Sequence, residues 1–442
     1  MLPGWLPLPT ADRFRLANVR VPRCLLADPP QAPADRDGLL LLDLDLADGV
    51  VAAIAPAGAT ATDLPAADAG GGQLWPCFVD LHTHLDKGHI WPRAQNPDGS
   101  FMGALTTVGA DRRAHWTAAD VAARMDFSLR CAHAHGTAAI RTHLDSEPPQ
   151  GAISWPVFAE ARRRWAGRIA LQAVSIVGIE LFRDEAAGAA LADLVAEHGG
   201  ILGAVTYPVP DAAALIDRVF ALAQERGLDL DFHTDEHGDP GPGTLRLIAE
   251  ASLARGFAGA VVCGHCCSLS AQPPTLAEAA IARVADAGIT VVSLPMCNLY
   301  LQDRAPGRTP RWRGVTLLHE LAAAGVPVAV ASDNTRDPFH FSGDLDMMDV
   351  FSQSARIGQL EHPFADWAAA VTRTPAAAMG LPDRGSIAVG ATADLVLFRA
   401  RSMSELLARP QVDRVVIRAG RAIPRLLPDY RELDGLFQQA SR

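Results

Sequence analysis

Eight times between residues 78 and 332, a short apolar run ends in polar or chemically active residues, and this recurrence limits the fold more than any other feature. The runs are Phe78–His82, Ala138–His143, Ile169–Ser175, Ile201–Thr206, Leu228–His233, Ala260–His265, Ile289–Ser293 and Pro327–Ser332. Amphipathic segments fall between them, such as Ala118–His135, Ala186–His198, Ala212–Arg226 and Leu276–Ala287. Strands alternating with helices imply a parallel sheet covered on both faces. Eight such units match an α/β fold of the (β/α)8 TIM-barrel type, which takes about 250 residues. The full 442 residues suit that barrel plus a companion.

The companion is predicted from the chain ends. Phe14–Val21, Leu39–Leu44 and Val50–Ile54 read as short strands, and β texture returns after Pro375 with Gly385–Gly390, Ala393–Phe398 and Val412–Ile417. Strands from both ends beside a barrel most simply share a small β-sandwich. The expected division is 1–75 and 381–442 for the sandwich and tail, with 76–380 for the barrel.

Composition narrows the partners. Hydrophobic residues make up 49% and charged residues 20%, enough for a large core and against disorder. The net charge of −11 is spread out, and no basic stripe invites nucleic acid or an anionic membrane. Arg304, Arg308, Arg311 and Arg313 are the local exception, read as a solvated loop with an anion or acidic partner as the alternative. The longest apolar stretch, Gly38 to Pro56, is broken by Asp43, Asp45 and Asp48, so no transmembrane helix is expected. Seven cysteines without framework spacing point to a reducing cytoplasm.

The chemistry gathers at the carboxyl ends of the predicted strands, where barrel active sites are built. His82 and His84 end the first strand; their i, i+2 spacing puts both imidazoles on one face, about 7 Å apart. The fifth strand ends in His233 and runs on to Asp235 and Glu236, the sixth ends in His265, and Asp333 follows the eighth. Three histidines and a carboxylate suit one divalent metal ion, Zn²⁺ or Fe²⁺, with a position left for water. Val205-Thr-Tyr207 offers no lysine to bridge a second metal. Such an ion lowers the pKa of its water towards about 7. Glu236 is the candidate proton shuttle, His265 the residue that orients water or polarises substrate, and Asp333 both ligand and proton acceptor. Asp235 is assigned a structural hydrogen bond. His143, ending the second strand, is either a hydrogen-bonding partner behind the ligands or a substrate contact.

These residues resemble the amidohydrolase superfamily, and within it the cytosine-deaminase-like branch. The resemblance rests on Phe78-Val-Asp-Leu-His-Thr-His-Leu-Asp86, Ile140-Arg-Thr-His-Leu-Asp145, His233-Thr-Asp-Glu236, Asn298-Leu-Tyr-Leu-Gln-Asp-Arg304 and Asp333-Asn-Thr-Arg-Asp-Pro338. It implies that His82, His84, His233 and Asp333 hold the metal, that Glu236 shuttles the proton beside His265, and that the enzyme is a homo-oligomer. Cytosine deaminases place a glutamine after strand 3 to read the pyrimidine edge, and Gly178 falls at its place. Asn334 replaces their second carboxylate beside the metal aspartate. Ser332-Asp-Asn334 and Lys87 are more similar to triazine hydrolases of the N-isopropylammelide type.

The expected reaction is hydrolytic deamination of an amino-substituted nitrogen heterocycle. A second reading is hydrolysis of a cyclic amide or an N-alkylamino heterocycle; a third is a non-catalytic assembly protein. Gly178 leaves room for a larger ring or a different donor from Asn334, while Phe339 and Phe101 are expected to wall the ring on opposite sides. Cytosine is accordingly expected to be a poor substrate.

Overall fold

A computed structural model describes residues 4–362, 364 and 366–437. Strands come first as a group, β1 (Arg13–Pro22), β2 (Leu39–Ala47), β3 (Val50–Pro56), β4 (Ala66–Asp68) and β5 (Gln73–Pro76). The alternating region follows with β6 (Phe78–Thr83), β7 (Thr137–Asp145), β8 (Ala170–Ile176) and β9 (Val205–Thr206). It continues through β10 (Leu230–Thr234), β11 (Val261–His265), β12 (Thr290–Ser293) and β13 (Val328–Val330). The chain then closes with β14 (Leu395–Phe398), β15 (Val415–Arg418) and β16 (Arg421–Ala422). These elements gather into two compact units: Met1–Asp80 with Leu129–Ala139 and Leu345–Asp429, and Leu81–Ser128 with Ile140–Asp344 and Tyr430–Arg442.

In the first unit both chain ends join one eight-stranded sheet, ordered β16-β15-β14-β5-β1-β2-β3, with β4 parallel on β1. The antiparallel pairing of β14 with β5 joins the two ends. Its core is aromatic: Trp75, wholly buried, meets Phe351 and Phe398 edge-on, with ring centroids 5.4 and 6.1 Å away. Gly385–Gly390 does not form the expected strand and makes only a bridge, Ile387 to Leu26. Turns at Asp383 and on both sides of Ile387 leave no run long enough to ladder.

In the second unit β9 to β13 form a five-stranded parallel sheet in the order β13-β12-β11-β10-β9, and β6-β7-β8 form another. Parallel bridges link them on both flanks: Thr83 with Asp333, and Val174 with Ile201 and Gly178 with Val205. Strand four is shorter than its apolar run. The Ser175 hydroxyl bonds both the N–H and the C=O of Gly203, groups that would otherwise join the ladder. The helices Ala118–His135 and Ala212–Arg226 have the boundaries that the sequence periodicity suggests. No helix among the described residues is long and apolar enough to cross a membrane.

One ion pair anchors the first unit. Asp346 caps the helix Met347–Gly358 by accepting from Met348 N–H and receives both Arg414 Nη atoms, at 2.7 and 2.6 Å. Burial opposes the Asp346 charge, but Arg414 and His135 reverse that and hold its carboxyl well below the usual range. A carboxyl with a depressed folded-state pKa stabilises the fold above the unfolded value of about 3.9, and the contribution is lost as pH falls through the folded value. Asp346→Ala is therefore expected to cost about 3–5 kcal/mol at neutral pH, because Arg414 is left buried without its partner. Chemical denaturation of wild type and variant should show that difference shrinking below about pH 4.

Candidate active site

The residues at the strand ends converge. His82 and His84 project from the end of β6, His233 from β10, and Asp333 lies just past β13. The Nε2 atoms of His82 and His233 are 3.2 Å apart, and those of His233 and His84 are 3.3 Å apart. Asp333 Oδ1 lies 3.2 Å from His84 Nε2 and 3.7 Å from His82 Nε2. Ligand bonds of about 2.0–2.1 Å in a tetrahedron put neighbouring donor atoms roughly 3.3 Å apart, and these separations of 3.2–3.7 Å are compatible with a shared cation. Three neutral Nε2 atoms cannot satisfy one another at such distances, because each ring has one N–H to give. His82 Nδ1 and His84 Nδ1 are buried without hydrogen-bond partners, which leaves no acceptor that fixes another tautomer.

Burial is the main electrostatic force here. It pushes His82, His84, His143 and His233 well below the usual histidine range and His265 down to about 3, so all five are neutral and able to ligate. Glu236 is driven the other way, well above a normal carboxyl, by burial and then by Asp333. Its Oε1 sits 3.4 Å from His265 Nδ1 and accepts from Asn298 Nδ2 at 3.2 Å. The same Asn298 amide is 3.0 Å from His265 Nδ1, so one side chain locates both groups. Asp235, beside Glu236, turns away and caps the helix Thr244–Arg255 through the N–H groups of Thr244 and Leu245.

Two backbone features shape the cluster. His265 and Asp333 adopt left-handed conformations, with φ of 65° and 60°, as they leave their strands. Non-glycine residues in that region are strained, and such strain collects at functional sites. Gly264 allows the close approach of His82: a Cβ there would lie 2.9 Å from the imidazole Cε1.

Around this centre, His143 packs against His82 with ring centroids 3.9 Å apart and planes tilted by 34°, and is a further candidate ligand with His82 and His233. His265 groups with His82 and Asp333 in the same way. Asn334 donates to Asp337, whose carboxyl burial raises to about 6. Lys87 is buried, pairs with Asp145 at 3.3 Å and lies 5.2 Å from the centre of the Phe339 ring. Phe101 meets Phe339 edge-on at 5.6 Å, so the two rings touch each other and do not face across a gap. Gly178 extends β8 and pairs with Val205. Sequence reasoning did not single out Asn298, which stands on a helix after β12 and not at a strand end. Its signal was its place at the head of Asn298–Arg304.

Residues 173–423 match the amidohydrolase family. A pterin deaminase of Rhizobium rhizogenes is 56% identical over 426 residues, 96% of this chain and 97% of that protein. The chain belongs to the amidohydrolase family. It is a hydrolase of carbon–nitrogen bonds, a deaminase of a nitrogen heterocycle. Among solved structures, the 5-methylcytosine deaminase of Klebsiella pneumoniae liganded with 5-fluorocytosine superposes with a TM-score of 0.79 at 25% identity, covering 94% of this chain and 98% of that one. The N-isopropylammelide isopropylaminohydrolase of Burkholderia multivorans shares the fold, with a TM-score of 0.73, 24% identity, and 93% and 98% coverage. The family is metal-dependent, and the His–Asp groups of this chain fit a cation.

Gly264→Ala tests how tightly that fit depends on the approach of His82. The added methyl forces the ring to move, so metal content by elemental analysis is expected to fall while the folded fraction by circular dichroism is kept. Unchanged metal content would show that the His82 position tolerates the shift.

Proposed function

We propose that this enzyme hydrolyses the 2-amino group of a pterin, giving ammonia and the 2,4-dioxopteridine. The observation that carries the reading is the 56% identity to a pterin deaminase along nearly the whole of both chains. Gly178 supports it, because it projects no side chain where a glutamine would, and the one atom within 4 Å of a Cβ there is a carboxylate oxygen of Glu180. We assign the chemistry to residues 76–380, as a closed (β/α)8 barrel, and the flanking sheet to 1–75 with 381–442. The bridges on both flanks of the parallel sheets support closure. The antiparallel bridge from Val50 to Thr392 supports folding of the flanking sheet into a sandwich. Among the described residues no disulfide joins the cysteines, which suits a reducing cytoplasm.

In this reading His82, His84, His233 and Asp333 hold one divalent cation, Zn²⁺ or Fe²⁺, which supplies acidified water at neutral pH. Water adds to C2 of the pterin, and Asp333 takes one of its protons. Glu236, whose raised pKa suits an acid near neutrality, protonates N1 as the C2=N1 bond becomes single. Asn298 holds Glu236 and His265 in register through this exchange. As the adduct collapses, Glu236, now a carboxylate, carries the proton of the new hydroxyl to the leaving amine, C2=O forms as the C2–N bond breaks, and the proton held by Asp333 returns to Glu236, so water and pterin balance against dioxopteridine and ammonia. Lys87 keeps its charge because Asp145, Asp86 and Asp337 outweigh its burial, and it presents that charge beside the Phe339 ring.

Coupled detection of ammonia across pterin, cytosine, aminotriazines and N-alkylaminotriazines tests the substrate. Pterin is expected to reach kcat/KM in the range of about 10⁴–10⁸ M⁻¹s⁻¹, with cytosine far below it. Amine release from an N-alkylaminotriazine as the fastest reaction would overturn the reading. For the proton shuttle, Glu236→Gln is expected to retain its metal while kcat falls about 10²–10⁴-fold. A rate near that of wild type removes Glu236 from the mechanism.

A further inference from the structure

Gly178 leaves a gap in the side-chain pattern of β8, and the structure shows what fills it. The parallel bridges Val174 to Ile201 and Gly178 to Val205 advance four residues on each strand, so no bulge intervenes. Alternate residues of an extended strand share a face. Gln172 accepts from Arg141, which also pairs with Asp231 at 2.9 Å. Arg141 and Asp231 each lie two residues before a histidine of the cluster, His143 and His233. Gly178, six residues beyond Gln172, therefore faces the side that carries the histidines.

A Cβ built at Gly178 would meet one atom within 4 Å, Oε2 of Glu180, at 3.1 Å. Glu180 stands in the short turn Ile179–Arg183 and folds its carboxylate back over the glycine. Tyr207, just past β9, donates its hydroxyl to Oε1 at 2.6 Å and fixes that orientation. Among the described residues Oε2 accepts no hydrogen bond. A half-buried carboxylate is thus pinned by one oxygen, with the other presented where a side chain of β8 would point.

We infer that Glu180 is the specificity-determining residue of this site, its free Oε2 accepting from a ring N–H that flanks the carbon losing its amine. The inference rests on the pterin reading and names the edge of the substrate that is read. A carboxylate only accepts, whereas an amide both donates and accepts. In pterin, C2 lies between N1, an acceptor, and N3–H, a donor. In cytosine the amine-bearing carbon lies between an acceptor nitrogen and a C–H, so the carboxylate finds no partner.

The test compares kcat/KM for pterin and 3-methylpterin in wild type, Glu180→Ala, Glu180→Gln and Tyr207→Phe, all metal-loaded, with metal content measured alongside. Glu180→Ala and Glu180→Gln are expected to lose about 10–100-fold on pterin, mainly through KM, with metal content unchanged. Tyr207→Phe should lose less, in the same direction. The substrate 3-methylpterin, which has no N3–H, should be poor with wild type and no worse with Glu180→Ala. Pterin kinetics within twofold of wild type in both Glu180 variants overturn the inference, as does an equal loss on 3-methylpterin. If wild type releases no ammonia from pterin, the pterin reading fails on its own. The variants are then compared on the heterocycle that is turned over, with and without its flanking N–H; loss confined to the N–H form supports Glu180, and equal loss overturns it.

Discussion

Everything at the strand ends depends on how several imidazoles and carboxylates are packed together with almost no water. His82, His143, His233 and Asp333 are each no more than 5% exposed. Burying polar groups without partners costs several kcal/mol in aggregate. The arrangement is tenable because burial keeps the imidazoles neutral, and because neutral imidazoles beside a carboxylate are the donor set that a divalent cation satisfies. A cation also reverses the effect of Asp333 on Glu236. Asp333 raises the proton affinity of Glu236 when no ion is bound, and a positive charge at the cluster would oppose that.

The scaffold meets this demand by placing strain where the backbone leaves the sheet. His265, the last residue of β11, and Asp333, three residues past β13, are both left-handed. In the polar layer beneath, Arg141 joins Asp231 and Gln172 in one buried network under the histidines. Asp235 performs a similar service beside Glu236, because its cap on the helix Thr244–Arg255 fixes the backbone from which Glu236 projects.

The fold and the metal-type cluster were legible because both are written in local pattern. Each of the eight apolar runs holds a strand or a bridge, and the residues that end them, His82, His84, His233, His265 and Asp333, meet in space. Period and strand-end position carry that information without reference to distant residues. What local pattern does not carry is which side chains reach across. Asn298 bridges Glu236 and His265 from a helix. The short strands β4 and β5 lack an alternating run and form only because β1 and β14 offer them partners. The contact between Phe101 and Phe339 depends on how the long segment after β6 folds back, which no periodicity encodes.

The same distinction bears on how such a site changes its substrate. In the proposed mechanism the ligands at the strand ends are coupled through one ion, so substituting any of them would disturb all the others. The position after β8 is free of that coupling. Its side chain is absent at Gly178, and a carboxylate from two residues further along lies over the vacated face, held by a tyrosine from the neighbouring strand. With Glu180 as the reading group, its move from the strand to the turn that follows changes both its reach and its hydrogen-bonding character, from donor-and-acceptor to acceptor alone. Neither change touches the histidines. On that reading the scaffold exchanges one heterocycle edge for another through Gly178, Glu180 and Tyr207, while the hydrolytic chemistry at the strand ends is left as it was.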